Sequence, residues 1–161
     1  MMLKVNDQIP NTEIYELVDG QPQIKKLNEI LGKHKIILFG VPGAFTSTCS
    51  KLHLPGFIAN AEKIKAKGIK NIFCLSVNDP YVMNAWGEVN NARNKIKMLS
   101  DPYLLFTKAI GAEVDRKSKG MGTRSNRYTM VIENLKVVSI QVEKETKQCS
   151  LSSAETILDI L

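Results

Sequence analysis

The run Val41-Pro42-Gly43-Ala44-Phe45-Thr46-Ser47-Thr48-Cys49 places a cysteine directly after three hydroxyl side chains and a Pro-Gly turn. Upstream, Ile36–Val41 reads as an apolar strand. Downstream, Ser50–Lys67 reads as a helix kinked early by Pro55-Gly56 and ended by Gly68. Cys49 therefore falls at a strand-to-helix junction, in the first turn of the helix. Unpaired backbone N–H groups and the positive end of the helix dipole favour a negative charge there. A thiol so placed is expected to ionise readily and act as a nucleophile. Burial as a small apolar side chain is the ordinary role of a lone cysteine. That role gives no reason for Thr46, Ser47 and Thr48, whereas a thiolate and its substrate would use such hydroxyls.

Three cysteines occur, at positions 49, 74 and 149, with neither a C-x-x-C pair nor zinc-like spacing. His53 lies four residues after Cys49 and could share its helix face. Two ligands alone make a poor metal site, and no orienting carboxamide or carboxylate marks a cysteine protease, so His53 reads as a structural residue of the site wall. Cys74 sits within Asn71–Val77, an apolar stretch that reads as a buried strand. Cys149 lies in the polar segment Lys147-Gln148-Cys149-Ser150, where exposure and mobility are expected.

The elements that must position these residues follow from patterning over 161 residues, 43% of them hydrophobic, a size suited to one domain spanning 1–161. Asp19-Gly20 marks a hairpin between Thr12–Val18 and Gln23–Leu27. Leu27–Leu31 is a helical turn stopped by Gly32, and Lys35–Val41 is a strand buried on both faces. Pro80 opens a helix over Tyr81–Asn91. Lys97–Leu99 is a short strand, and Ser100-Asp101-Pro102 caps a helix over Tyr103–Ile110. Val114–Asn126 is polar and Gly-rich, and is expected to be a loop. Tyr128–Glu133 and Val137–Val142 form a hairpin through Asn134-Leu135. Ser152 and Ser153 with Glu155 start a final helix. This order predicts an α/β domain with a central mixed sheet and helices on both faces.

The formal charge is +6, from 22 basic and 16 acidic residues. The lysines are dispersed and aromatics make up only 6%, so a solvated basic surface is expected, with neither nucleic acid nor membrane as partner. The N-terminal residues lack a signal-peptide apolar region and the Arg/Ser-rich pattern of a transit peptide. A cytoplasmic location is the expectation, or an organellar one if a presequence has been removed.

Pro42-x-x-x-Thr46-x-x-Cys49 resembles the active-site signature of the peroxiredoxins, and the longer run from Val41 to Ser50 resembles their type II or "5" subfamily. Further similar stretches follow in order: His53-Leu54-Pro55-Gly56-Phe57, Cys74–Asp79, Met83-x-Ala85-Trp86, Leu99-Ser100-Asp101 and Gly120-x-Gly122-x-Arg124-Ser125-x-Arg127-Tyr128. Members of the subfamily usually carry Pro where this chain has Ser47. The resemblance implies a thioredoxin-like fold with an N-terminal β-hairpin extension. It implies reduction of hydrogen peroxide and organic hydroperoxides through a cysteine sulfenic acid, without metal or cofactor. Cys49 would be the peroxidatic nucleophile, with Thr46, Pro42 and Arg127 as catalytic partners. Gly43 and Arg124 would contact substrate, and Cys149 would resolve the sulfenic acid, with Cys74 as the alternative. Thioredoxin, glutaredoxin or glutathione would return the electrons, and a homodimer is expected. The rival reading from another class is a thioredoxin-fold binding or chaperone-like module without turnover. Intact Pro42, Thr46, Cys49 and Arg127 weigh against it.

Overall fold

A computed structural model describes residues 2–161. The chain begins with a hairpin of β1 (Glu13–Val18) and β2 (Gln21–Lys26), turned by Asp19 and Gly20, both at positive φ. Two successive left-handed residues give the turn whose twist matches paired strands. After the short helix α1 (Leu27–Leu31) comes β3 (Lys35–Val41), with the bounds its apolar run predicts. A π-helical turn over Cys49–His53 then leads into α2 (Leu54–Ala66). The expectation of one kinked α-helix from Ser50 is corrected here. Pro55 cannot donate to the Lys51 carbonyl and its ring would collide with it, and the wider turn relieves both problems. Leu54 N–H bonds instead to the Cys49 carbonyl, five residues back.

The remaining elements are β4 (Ile72–Ser76), α3 (Pro80–Val89), β5 (Lys97–Ser100), α4 (Leu105–Ala109), β6 (Glu113–Asp115), β7 (Thr123–Ser125), β8 (Tyr128–Glu133), β9 (Lys136–Val142) and α5 (Ala154–Ile160). Two differ from expectation. Helix α4 starts at Leu105 instead of Tyr103, because Leu104 takes a left-handed conformation and the Asp101 carboxylate receives the N–H groups of Phe106 and Thr107. The stretch expected as a loop contains a two-stranded ribbon of β6 and β7, joined by a 3-10 turn over Lys117–Lys119.

Seven strands form one sheet in the order β2-β1-β5-β4-β3-β8-β9. β3 runs parallel to β4 and antiparallel to β8, so the sheet is mixed. Alternation along β3 feeds two cores. Ile37, Phe39 and Val41 pack with Cys49 against α2, α3 and α5. Ile36 and Leu38 point to the other face, against α1 and α4. Each such buried side chain contributes about 1.5–3 kcal/mol. The ends of β3 and β4 are thus held rigidly at the place where Pro42 and Asn78 leave the sheet.

Candidate active site

Cys49 is fully buried at the C-terminal end of β3, and its Sγ lies 3.0 Å from Nη2 of Arg127. Arg127 directly precedes β8, the antiparallel neighbour of β3, and is itself 1% exposed. Gly40 makes room for the neighbouring strand on the opposite face of the sheet. A Cβ at that position would run into the ring of Tyr128, the residue paired with Gly40 on β8. A guanidinium keeps its charge at any ordinary pH and has several donors in a fixed plane. It can therefore hold a sulfur anion and still have donors left over.

Three of the four remaining donors are occupied, which leaves one Nη1 N–H for a further acceptor. Arg127 Nε and Nη2 donate to the Thr146 carbonyl at 3.1 and 3.0 Å, and Nη1 meets Nδ1 of His53 at 2.9 Å. Because the guanidinium can only donate, Nδ1 accepts and the proton of His53 sits on Nε2. That N–H reaches the Ser152 carbonyl at 3.0 Å. Burial, and secondarily the Arg127 charge, pull the His53 pKa down to about 3, while the bond to Ser152 acts in the opposite direction. His53 is neutral and serves as an acceptor that fixes one edge of the guanidinium. Phe39 and Phe57, stacked with centroids 4.2 Å apart, pack against its ring.

The loop before Cys49 turns sharply through Phe45, a non-glycine residue at φ +64° whose ring is exposed. Thr46 donates its hydroxyl to the Gly43 carbonyl at 2.7 Å, which leaves its oxygen lone pairs directed elsewhere. Thr48 Oγ1 donates to the Lys147 carbonyl. The three hydroxyls expected to surround the thiol thus divide their work: two brace backbone carbonyls, and Ser47 is exposed. Pro42 is buried beneath a cleft of about 210 Å³ lined by Pro42, Thr46, Thr48, Arg116 and Arg127 among others. Arg124 stands behind this loop, with Nη1 at 3.4 Å from the Pro42 carbonyl and Nε bonded to the Met121 carbonyl; burial lowers its pKa. Gly43 leaves room for that side chain, since a Cβ there would sit 3.1 Å from the Arg124 Nη1. Asn78, to which the sequence assigns no role, accepts from Ala44 N–H and from Ser76 Oγ, tying the loop to the end of β4.

The other two thiols differ in setting. Cys74 is fully buried on the same sheet face as Cys49, and burial raises its pKa well above the ordinary value, with the charge of Cys49 adding to the rise and Arg127 opposing it. The flanking Phe73 and Leu75 pack on the opposite face. Cys149 is half-buried, less open than its polar neighbours suggest. Its pKa is pushed up to about 11, mainly by burial, with Arg127 opposing the rise and Glu143 adding to it. The segment that carries it is a missed part of the site: the Thr146, Lys147 and Ser152 carbonyls receive Arg127, Thr48 and His53.

A buried cysteine held by a guanidinium at the end of a thioredoxin-like mixed sheet defines a thiol-based oxidoreductase. The Redoxin family matches residues 4–158. Peroxiredoxin-2D of Arabidopsis thaliana is 44% identical over 99% of this chain and 98% of its own length. Rice mitochondrial Peroxiredoxin-2F is 38% identical over 83% of this chain and 67% of its own. The crystal structure of reduced Prx3 from Vibrio vulnificus in complex with hydrogen peroxide is 43% identical. It superposes with a TM-score of 0.93, covering 99% of both chains. The chain belongs to the peroxiredoxins, in their type II subfamily, and is a thiol peroxidase. Relatives of this kind include organellar proteins.

Proposed function

We propose that Cys49 is the peroxidatic nucleophile of a single peroxiredoxin domain spanning 1–161. Its thiolate attacks one oxygen of a hydroperoxide, and the O–O bond breaks. The second oxygen leaves as hydroxide or alkoxide and is protonated, while Cys49 becomes a sulfenic acid, oxidised by two electrons. The observation that carries this reading is the 3.0 Å contact between a buried sulfur and a guanidinium that other bonds hold in place. Donors fixed before reaction are the most effective stabilisers of developing charge.

In this reading Arg127 holds both the thiolate and the peroxide. Thr46, with its proton committed to Gly43, accepts a hydrogen bond from the substrate. Pro42 shields the sulfur from water. Gly43 and Arg124 shape the loop whose backbone N–H groups meet the peroxide. No metal or cofactor enters the reaction.

Cys149 resolves the sulfenic acid: a Cys49–Cys149 disulfide forms and water leaves, with Cys74 as the alternative partner. A thiol whose pKa is near 11 is a poor nucleophile at neutral pH, so the Cys149 segment must move into solvent before it attacks. Thioredoxin, glutaredoxin or glutathione then supplies two electrons as thiols. The protein works in the cytoplasm as a homodimer, binding neither nucleic acid nor membrane. Phe45 and Tyr81 support the dimer: they follow the parallel strands β3 and β4, so they lie at one end of the sheet, and their rings are 55% and 56% exposed. The experiment is thiol loss after stoichiometric hydrogen peroxide, mapped by peptide. Fast loss at Cys49 supports the assignment. Intact Cys49 would leave the rival reading, a thioredoxin-fold module without turnover.

A further inference from the structure

Glu143 is a buried carboxylate, 1% exposed, on the segment that follows β9. Its Oε1 accepts three hydrogen bonds: from Ser150 N–H at 2.6 Å, from Ser152 N–H at 2.9 Å and from Ser152 Oγ at 3.0 Å. These donors flank Cys149 on its C-terminal side. Its Oε2 is buried with no hydrogen-bond partner among the described residues. A half-satisfied carboxylate is expensive to bury, so stability alone does not account for it. The Glu143 backbone is anchored to the site as well, through its N–H to the Arg127 carbonyl and its carbonyl to Asn126 Nδ2. One end of the clasp is therefore fixed to the strand that aims Arg127, and the other end holds the turn bearing Cys149.

We infer that Glu143 is a positioning residue for the resolving step: its carboxylate clasps Ser150 and Ser152, and so holds Cys149 in its half-buried place until Cys49 has been oxidised. The inference rests on the proposed role of Cys149 only for its kinetic consequence. Three bonds to one charged oxygen are stronger than three to a neutral amide oxygen. Weakening them lets the 149–152 turn open more often, while Arg127 keeps its contacts with Cys49 and His53. The clasp thus sets how long the sulfenic acid survives, and with it how readily excess peroxide carries Cys49 to the sulfinic acid.

The test uses the full-length reduced protein and Glu143→Gln. Labelling of Cys149 by a neutral maleimide, followed by peptide mapping, should accelerate about tenfold, the difference expected between charged and neutral acceptors. After a pulse of hydrogen peroxide, oxidation of Cys49 should stay close to the wild-type rate. Disulfide formation should become about tenfold faster, and sulfinic acid should accumulate less. Ser152→Ala, which removes one of the three donors and keeps the charge, should move the labelling rate the same way by a smaller factor. It serves as the test if Glu143→Gln does not fold. Unchanged Cys149 labelling in folded variants would overturn the clasp, and so would an equal fall in both oxidation steps. If the wild-type protein forms no Cys49–Cys149 bridge, the resolving role of Cys149 fails, while the labelling comparison still decides whether Glu143 holds the turn.

Discussion

The surroundings of Cys49 and of Cys149 are built from different materials. Cys49 sits at the meeting point of β3, β8 and the π-helical turn, bonded to Arg127, whose guanidinium is held by His53 packed on the stacked Phe39 and Phe57 of the same core. The Cys149 segment belongs to no strand or helix. It is held by hydrogen bonds through its carbonyls and N–H groups, to Arg127, His53, Thr129, Thr48 and Glu143. Apolar packing gives a position that does not vary. Hydrogen bonds to backbone atoms can be exchanged for water as a segment opens, without leaving a cavity in the core. A nucleophile that must be aligned before substrate arrives suits the first setting, and a thiol that must travel suits the second.

Removing the rigid half should have the largest effect. Cys49→Ser is expected to abolish peroxidase turnover, and more than a few per cent of residual rate in a coupled assay would contradict its role. Arg127→Ala removes a buried charged donor aimed at a developing anion and should slow Cys49 oxidation about 10²–10³-fold. Arg124→Ala should cost less, because the Arg124 guanidinium bonds to the Pro42 and Met121 carbonyls and braces the loop. Stopped-flow fluorescence of Trp86 offers a readout, since its indole N–H bonds to Ser50 beside Cys49. Equal losses in the two variants would remove the distinction between holding the thiolate and bracing the loop.

The mobile half should respond in the second step only. Cys149→Ser should leave the first oxidation fast, slow turnover with a dithiol reductant, and promote over-oxidation of Cys49, as read by intact mass. Disulfide formation in the wild-type protein that is as fast as Cys49 oxidation would show that the segment needs no opening.

The effect on stability is confined to acidic pH. His53 has a pKa of about 3 in the fold against about 6.5 in an unfolded chain. Above pH 6.5 both states are neutral there and its contribution is fully present. Between about 6.5 and about 3 the unfolded chain binds a proton that the folded one refuses, so stability falls with falling pH, by up to about 1.4 kcal/mol per pH unit. Urea denaturation across this range should show a shallower pH dependence for His53→Gln than for wild type.

Local signals in the sequence predicted much of this architecture. The bounds of β3 follow from its apolar run, and both hairpins from their turn dipeptides: Asp19-Gly20 and Asn134-Leu135, of which Leu135 alone takes a positive φ that its side chain disfavours. Arg127 is readable because it enters a strand, which fixes its direction. Three features are not local. The π-helical turn needs the clash at Pro55 to be weighed against helix continuity. The ribbon of β6 and β7 is too short and polar to show alternation. The bonds joining Arg127, His53 and Glu143 to the 146–152 segment end on backbone atoms, which any residue supplies, and His53 and Ser152 are 99 positions apart. No spacing rule connects such pairs, so the sequence suggests an open loop at Cys149 where the structure has a clasped one.

Rapid-quench peptide mapping after one equivalent of hydrogen peroxide tests the division between a fixed and a travelling thiol most directly. The account predicts that Cys49 is oxidised first and alone, and that a Cys49–Cys149 disulfide follows in a slower step independent of peroxide concentration. Initial oxidation at Cys149, or a Cys49–Cys74 bridge formed inside the packed sheet face, would contradict it.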